Sequence, residues 1–106
     1  MERNEELAVT LLSYIEAEDH EGVGLYRKEL RHLHENTLVG ADVDSTQVLL
    51  QVDYHLHLLE TAGFVTREAE GEKGRDELDI FELTWAGHDF LAKNTPLDFS
   101  GDFVTG

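Results

Sequence analysis

Residues 54–64 read YHLHLLETAGF and residues 83–91 read LTWAGHDFL, and these two stretches decide the predicted fold. The first has apolar residues at helical spacing and then reaches Gly63, and glycine most readily takes the left-handed conformation that ends a helix. The second runs from apolar strand residues into Thr84, a good N-cap, which predicts a further helix. Together they predict the end of one helix, a strand pair and another helix.

The helix that ends at Gly63 is predicted to start at Ser45, with Asp44 as the alternative N-cap, and to run to about Thr61. One side of it is apolar at intervals of three and four residues. This periodicity predicts a buried face made of Val48, Val52, Leu56 and Leu59. It is the strongest helical pattern in the chain, and it contains no lysine or arginine.

Two shorter helical patterns precede this helix. The first covers about Glu2 to Ala17, with leucines recurring on one side, and the second covers about Arg27 to Glu35. Leu30 and Leu33 are expected to face inward from the second helix. Residues 22–26 join the two helices as a short, extended link.

A hairpin is predicted after the long helix. Its first strand starts at residues 64–66, a polar loop with glycines covers residues 70–74, and the second strand covers residues 78–83. The last helix is expected from Trp85 to about Lys93. Trp85 is expected to pack this hairpin against the helices, because a large aromatic ring stabilises most when it is buried.

The order of these elements predicts an α+β fold that is winged helix-turn-helix-like, with three N-terminal helices, a two-stranded wing and a C-terminal helix. The domain is expected to cover residues 1–95, and residues 96–106 form a C-terminal tail. The motif YHLxLLxxAGF followed by LTWxGHxFL resembles a bacterial and phage family, a domain of unknown function with a winged-helix-like fold. More distantly, it is similar to the winged-helix repressors of multiple-antibiotic and arsenical resistance. The resemblance implies a fold and no particular activity.

The net charge of −15 argues against the usual role of such a fold, which is direct binding to DNA. The chain has 23 Asp and Glu against eight Lys and Arg, and a protein needs cations to displace the counterions of a duplex. Three functional explanations are adaptation to high salt, a basic partner and mimicry of nucleic acid, while a simple solvated surface needs no target. The chain has no cysteine and no apolar run of membrane-spanning length, so we expect a cytoplasmic protein with no membrane contact.

The leading functional prediction is a regulatory or adaptor module that acts through contact with another protein or with a second copy of itself. Leu50, Tyr54 and Leu58 form an apolar strip on the long helix outside its predicted core face, and such strips are typical of contact surfaces. Phe99 and Phe103 in the acidic tail could dock in the same way. Alternatively, another helix of the same domain covers the strip, and the tail is a solvated chain end.

The alternative prediction is a DNA-binding transcriptional regulator, adapted to high salt. Bulk salt would then screen the repulsion between the protein and the phosphates. The candidate nucleic-acid contacts are polar or basic residues of the long helix and the wing, namely Gln47, Gln51, Tyr54, His55, Lys73 and Arg75. A competing interpretation of His55 is a partly buried ring that is hydrogen-bonded beside the core.

Metal and catalytic sites are not predicted. The pairs His32/His34 and His55/His57 have the right residue types for zinc, but side chains two residues apart on a helix point about 200° apart and cannot chelate one ion. The sequence contains no glycine-rich phosphate loop and no nucleophile motif. We therefore expect a protein that is not an enzyme and uses no cofactor.

Overall fold

The computed structural model describes residues 2–38, 40, 44–72 and 74–94, so the predictions for Lys73, Phe99, Phe103 and the tail lie outside the described residues. The described part is a mixed α+β structure of four α-helices and three strands. The helices are α1 (Glu5–Glu18), α2 (Arg27–Asn36), α3 (Ser45–Thr61) and α4 (Trp85–Asn94). The strands are β1 (Leu25–Tyr26), β2 (Val65–Ala69) and β3 (Asp79–Leu83), and a 3₁₀ turn over Asp76–Leu78 leads into β3.

The strands form an antiparallel sheet in the order β1–β3–β2, with β3 in the centre. Leu25 of β1 and Arg67 of β2 both lie opposite Phe81, and Val65 lies opposite Leu83. The link at residues 22–26 therefore contributes a real strand, which pairs with the hairpin. The return strand begins one residue later than predicted, because the 3₁₀ turn takes up Leu78.

The long helix α3 has the predicted length and the predicted end. Asp44 is its N-cap, since the Asp44 carboxylate accepts a hydrogen bond from the Thr46 N–H at 2.9 Å. The first choice of Ser45 as N-cap is thus wrong and the alternative is right. At the other end, Gly63 has a φ of 84°, the left-handed conformation that was predicted.

The core lies between α1, α2, α3 and the inner face of the sheet. The buried stripe predicted for α3 is confirmed, and α1 contributes a matching stripe of Leu7, Ala8, Leu11, Leu12 and Ile15. Phe81 from the central strand and Leu30 from α2 are completely buried. One polar ring, that of His55, completes the core side of α3. No described helix is long and apolar enough to cross a membrane.

Thr84 is the predicted cap of α4, and the structure confirms it. The Thr84 hydroxyl accepts a hydrogen bond from the Gly87 N–H at 3.0 Å and donates one to the Gly63 carbonyl at 2.6 Å. The Thr84 N–H donates to the Phe64 carbonyl at 3.1 Å. One residue therefore ties the start of α4 to the turn that ends α3.

Gly63→Val is expected to lower the free energy of unfolding by about 2 kcal/mol, because an L-residue with a branched Cβ resists a positive φ. Open space surrounds the position where a Cβ would lie, so the cost comes from the backbone conformation and not from a clash. Urea denaturation measures it. Gly63→Asn is the control. Asparagine tolerates this conformation, so this variant should lose much less free energy of unfolding than Gly63→Val. Equal losses for the two variants would show that the backbone conformation is not the cause.

Candidate interaction surface

The outward face of α3, which we define as Thr46, Gln47, Leu50, Tyr54, His57 and Thr61, is the candidate site. These residues lie opposite the buried stripe, and Leu50 is 46% exposed while Tyr54 is half-buried. No Asp, Glu, Lys or Arg is among them. In a chain of net charge −15, this face is therefore unusual in being uncharged and partly apolar.

The two carboxylates of α3 lie to the side of the outward face and are bound by arginines. Arg31 on α2 donates two hydrogen bonds to the Asp53 carboxylate, one of them from Nε at 3.0 Å. Arg67 on β2 donates from Nε to Glu60 at 3.2 Å. The hydrogen bond to Asp53 raises the pKa of Arg31 above its ordinary value, so the guanidinium keeps its charge.

A second group of ion pairs joins the helices to the sheet around Arg27, whose side chain is 12% exposed. Arg27 donates from Nη2 to Asp79 at 2.9 Å, and its Nη1 lies 3.4 Å from Asp53. Its guanidinium carbon lies 5.0 Å from the centre of the Phe81 ring, in cation–π geometry. Arg67 reaches Asp79 from the other side at 3.4 Å.

All five arginines of the chain lie in the described part, and each has a carboxylate partner. Besides Arg27, Arg31 and Arg67, Arg3 lies 3.4 Å from Glu5 and Arg75 lies 2.7 Å from Glu77. Arginines held by carboxylates have little positive charge left for phosphates. Of the described lysines and arginines, only Lys28 and Lys93 have no carboxylate partner.

His55 is completely buried, which does not fit the prediction that it contacts DNA. Its Nε2 accepts a hydrogen bond from the Asn4 N–H at 2.8 Å, and its Nδ1 lies 2.8 Å from the Gln51 carbonyl. Since a carbonyl can only accept, the ring is neutral with its proton on Nδ1. The ring joins the start of α1 to α3, in line with the competing interpretation of a hydrogen-bonded core residue.

Gln47 and Gln51 line a cleft of about 500 Å³ between α3, the start of α1 and the end of α2. Gln47 is exposed and Gln51 is half-buried. His34 from α2 faces the same cleft, and burial lowers its pKa below the ordinary value. Gln51 therefore faces a neighbouring helix instead of the outward face of α3, where a base would approach. Arg75, the remaining described candidate of the DNA prediction, is held by Glu77 on the hairpin.

Leu58 lies at the edge of the outward face and lines a cleft of about 240 Å³ between α3, the start of α1 and α4. Phe64 and Phe90 stack in this cleft with ring centres 4.5 Å apart. Leu58 is half-buried, so it is less available to a partner than Leu50. The three residues of the predicted strip thus differ in exposure, and Leu50 is the most open of them.

Trp85 is 86% exposed, so the prediction that it packs the hairpin against the helices is wrong. It is the first residue of α4, directly after the Thr84 cap. Phe64 and Phe90 form the aromatic contact between the hairpin start and α4 that was expected of Trp85. An exposed tryptophan is rare on a surface with no partner, because it leaves a large apolar area in water.

A family model described as a hypothetical protein, DUF2513, matches residues 2–95. The chain belongs to the DUF2513 family. The match includes α1 to α4 and both of the stretches that decided the predicted fold. The prediction of a domain-of-unknown-function family is confirmed. Neither a search of curated proteins nor a search of solved structures finds a match to the chain.

In this DUF2513 chain, the ion pairs around Arg27 and the exposure of the tryptophan are not predicted from the sequence. One signal for the ion pairs was present: Arg27 and Arg31 are four residues apart, which places both on one side of α2. A second was Asp79, which shares a strand face with Phe81 because the two are separated by one residue. The sequence alone does not show how α2 packs against α3 and β3, and it is this packing that brings the charged groups together.

Proposed function

We propose that the domain is a winged helix that acts as a non-enzymatic regulatory or adaptor module through protein–protein contacts. The order α–β–α–α–β–β–α, with β1 joined to the central strand of a hairpin, supports this assignment of the fold. In this interpretation α3 occupies the place of the recognition helix and the β2–β3 hairpin is the wing. The absence of cysteine is consistent with a reducing, cytoplasmic location.

The observation that carries the proposal is the uncharged outward face of α3. A helix that reads DNA in the major groove needs donors to base edges and cations to hold the phosphates. This face has neither lysine nor arginine, and its exposed large apolar side chain is Leu50. Leu50 and Tyr54 are instead suited to a desolvated contact with another protein, in which aromatic and aliphatic groups provide most of the binding energy.

Leu50→Glu combined with Tyr54→Glu is expected to abolish the contact while leaving the domain folded. Two carboxylates would have to be desolvated in the interface. The free energy of that desolvation is far larger than the binding free energy lost with the apolar area. Sedimentation velocity over a range of concentrations measures self-association, and chemical cross-linking followed by purification identifies a different partner. Circular dichroism checks that the variant has kept its helices.

A matched control adds the same charge elsewhere, through Ala17→Glu combined with His32→Glu at exposed positions of α1 and α2. The control should associate like the wild-type protein, since it leaves α3 unchanged. If the control loses the contact as fully as the α3 variant, general repulsion is the cause. If neither variant changes the association, the outward face of α3 is not the interface and the proposal fails.

Binding to DNA is tested by fluorescence anisotropy of a labelled duplex at low salt and in molar potassium chloride. We expect no binding in either condition, because the arginines are held by carboxylates. Binding that appears only in high salt, and that Gln47→Ala weakens, would replace the proposal with a salt-adapted DNA-binding regulator. Gln47 is the right probe because it is exposed on the outward face of α3.

A further inference from the structure

The ring of Trp85 stands on a rigid part of the domain. The residue before it, Thr84, makes hydrogen bonds to the Gly63 carbonyl, the Phe64 carbonyl and the Gly87 N–H, at 2.6, 3.1 and 3.0 Å. The backbone that holds the ring is thus fixed, while the ring itself is 86% exposed. A fixed, exposed tryptophan is the typical anchor of a protein interface, because little conformational entropy is lost when it docks.

Two exposed carboxylates lie near Trp85 in the chain. Asp89 lies one helical turn after Trp85 on α4, on the same side of the helix, and Glu82 lies on β3 just before the turn into α4. Both side chains are exposed, and neither has an ion-pair or hydrogen-bond partner in the described part of the chain. These two carboxylates are therefore available to a cation that approaches this end of α4.

A small cleft of about 160 Å³ lies between the end of α1, β3 and α4. It is lined by Glu82, by Glu16 and by His88, and the His88 Nδ1 lies 3.6 Å from the Glu16 carboxylate. His88 is three residues after Trp85 and so faces the same side of α4. Asp19 also lines the cleft, but its carboxylate accepts hydrogen bonds from two backbone N–H groups. No lysine or arginine is among the described residues that line it.

We propose that Trp85, Glu82 and Asp89 form a docking surface for an arginine-bearing, basic segment of a partner protein. A guanidinium group stacks on an indole face through cation–π attraction and donates hydrogen bonds to neighbouring carboxylates. The charge of the surface is complementary to such a segment and repels an acidic one. This inference uses none of the residues of the outward face of α3, so the two surfaces can be tested, and can fail, independently.

The test uses the fluorescence of Trp85, which is the single tryptophan of the chain. The probe is an unstructured glycine–serine peptide that carries several arginines, and a peptide of the same length with glutamates replaces it in the control. We expect the arginine peptide to change the Trp85 emission in a saturable way and the glutamate peptide to leave it unchanged. No change up to millimolar arginine peptide would overturn the proposal.

Two variants show whether the binding is local. Trp85→Ala should lower the affinity for the labelled arginine peptide by about fivefold to tenfold, as measured by fluorescence anisotropy. The double variant Glu82→Gln with Asp89→Asn should lower it by a similar factor. The matched control is Glu68→Gln with Glu70→Gln, which removes the same charge from exposed positions of the hairpin and should change the affinity by less than about twofold. Equal weakening in the two charge variants would mean general attraction to an acidic protein and would overturn the site.

Two further readouts keep the outcome clear. The variant of Leu50 and Tyr54 should bind the arginine peptide like the wild-type protein, since the outward face of α3 is not involved. Thermal unfolding of Trp85→Ala should match that of the wild type, because the ring is exposed. If the Trp85 emission shifts with the concentration of the protein alone, a second copy occupies the surface and the assignment to a basic partner is wrong.

Discussion

Gly87→Ala is expected to lower the free energy of unfolding by about 3 kcal/mol or more, although alanine is normally the better helix former. An added Cβ would lie 2.0 Å from the carbonyl oxygen of Phe64 and 3.0 Å from the Leu83 Cδ2. The Phe64 oxygen is part of the backbone and already accepts the Thr84 N–H, so it cannot move aside alone. The whole of α4 would have to shift away from the start of β2.

Thermal unfolding followed by circular dichroism measures this effect. For a domain of this size, a loss of about 3 kcal/mol corresponds to a fall in melting temperature of roughly 15 °C. Ala86→Ser is a suitable control, since it adds an atom at the neighbouring, exposed position of α4 and should change stability by less than about 0.5 kcal/mol. A Gly87→Ala protein that melts within a few degrees of wild type would show that α4 does not approach Phe64 this closely.

Asp79→Ala is expected to cost about 3 kcal/mol, because it removes one partner from a buried ion pair. The Asp79 side chain is 7% exposed and the Arg27 side chain is 12% exposed. Without Asp79, Arg27 keeps a hydrogen bond from Nε to the Asp76 carbonyl at 3.1 Å, but its nearest remaining carboxylate is Asp53 at 3.4 Å, and its charge is incompletely compensated. Arg67 on the neighbouring strand also loses its second partner.

Urea denaturation of the single variant and of the double variant Arg27→Met with Asp79→Leu separates two causes. If the uncompensated charge is what destabilises, the apolar double variant should recover most of the loss. If the double variant is as unstable as Asp79→Ala, the pair contributes through its hydrogen bonds to the helices and the sheet. Glu68→Ala on β2 is the control, because that carboxylate is exposed and its removal should cost less than about 0.5 kcal/mol.

The helix α3 was predictable because its causes are local. Its apolar stripe recurs at helical spacing, and Gly63 is the residue type that a left-handed helix end requires. The N-cap was predicted less well, since Asp44 and Ser45 are both good N-caps and adjacent. The backbone conformation decided between them by placing the Asp44 carboxylate on the Thr46 N–H.

The position of Trp85 could not be predicted from its apolar character. Gly87 faces the Phe64 carbonyl, and residues two positions apart on a helix point about 200° apart, so Trp85 points away from Phe64 and the start of β2. The rotation of α4 about its own axis follows from this close approach. The approach depends on contacts between α4 and the start of β2, which the spacing of residues in α4 alone does not reveal.

By itself, the sequence determined the helices, the hairpin, the buried stripe of α3 and the C-terminal end of that helix, because periodicity and capping involve residues close together in the chain. The tertiary structure decided which charges and aromatic rings are available to a partner. Arg27 and Asp79 are 52 residues apart, and Arg31 and Asp53 are 22 apart. Only packing brings such groups within hydrogen-bond distance, and that packing pairs Arg27 and Arg31 with carboxylates and leaves Trp85 exposed.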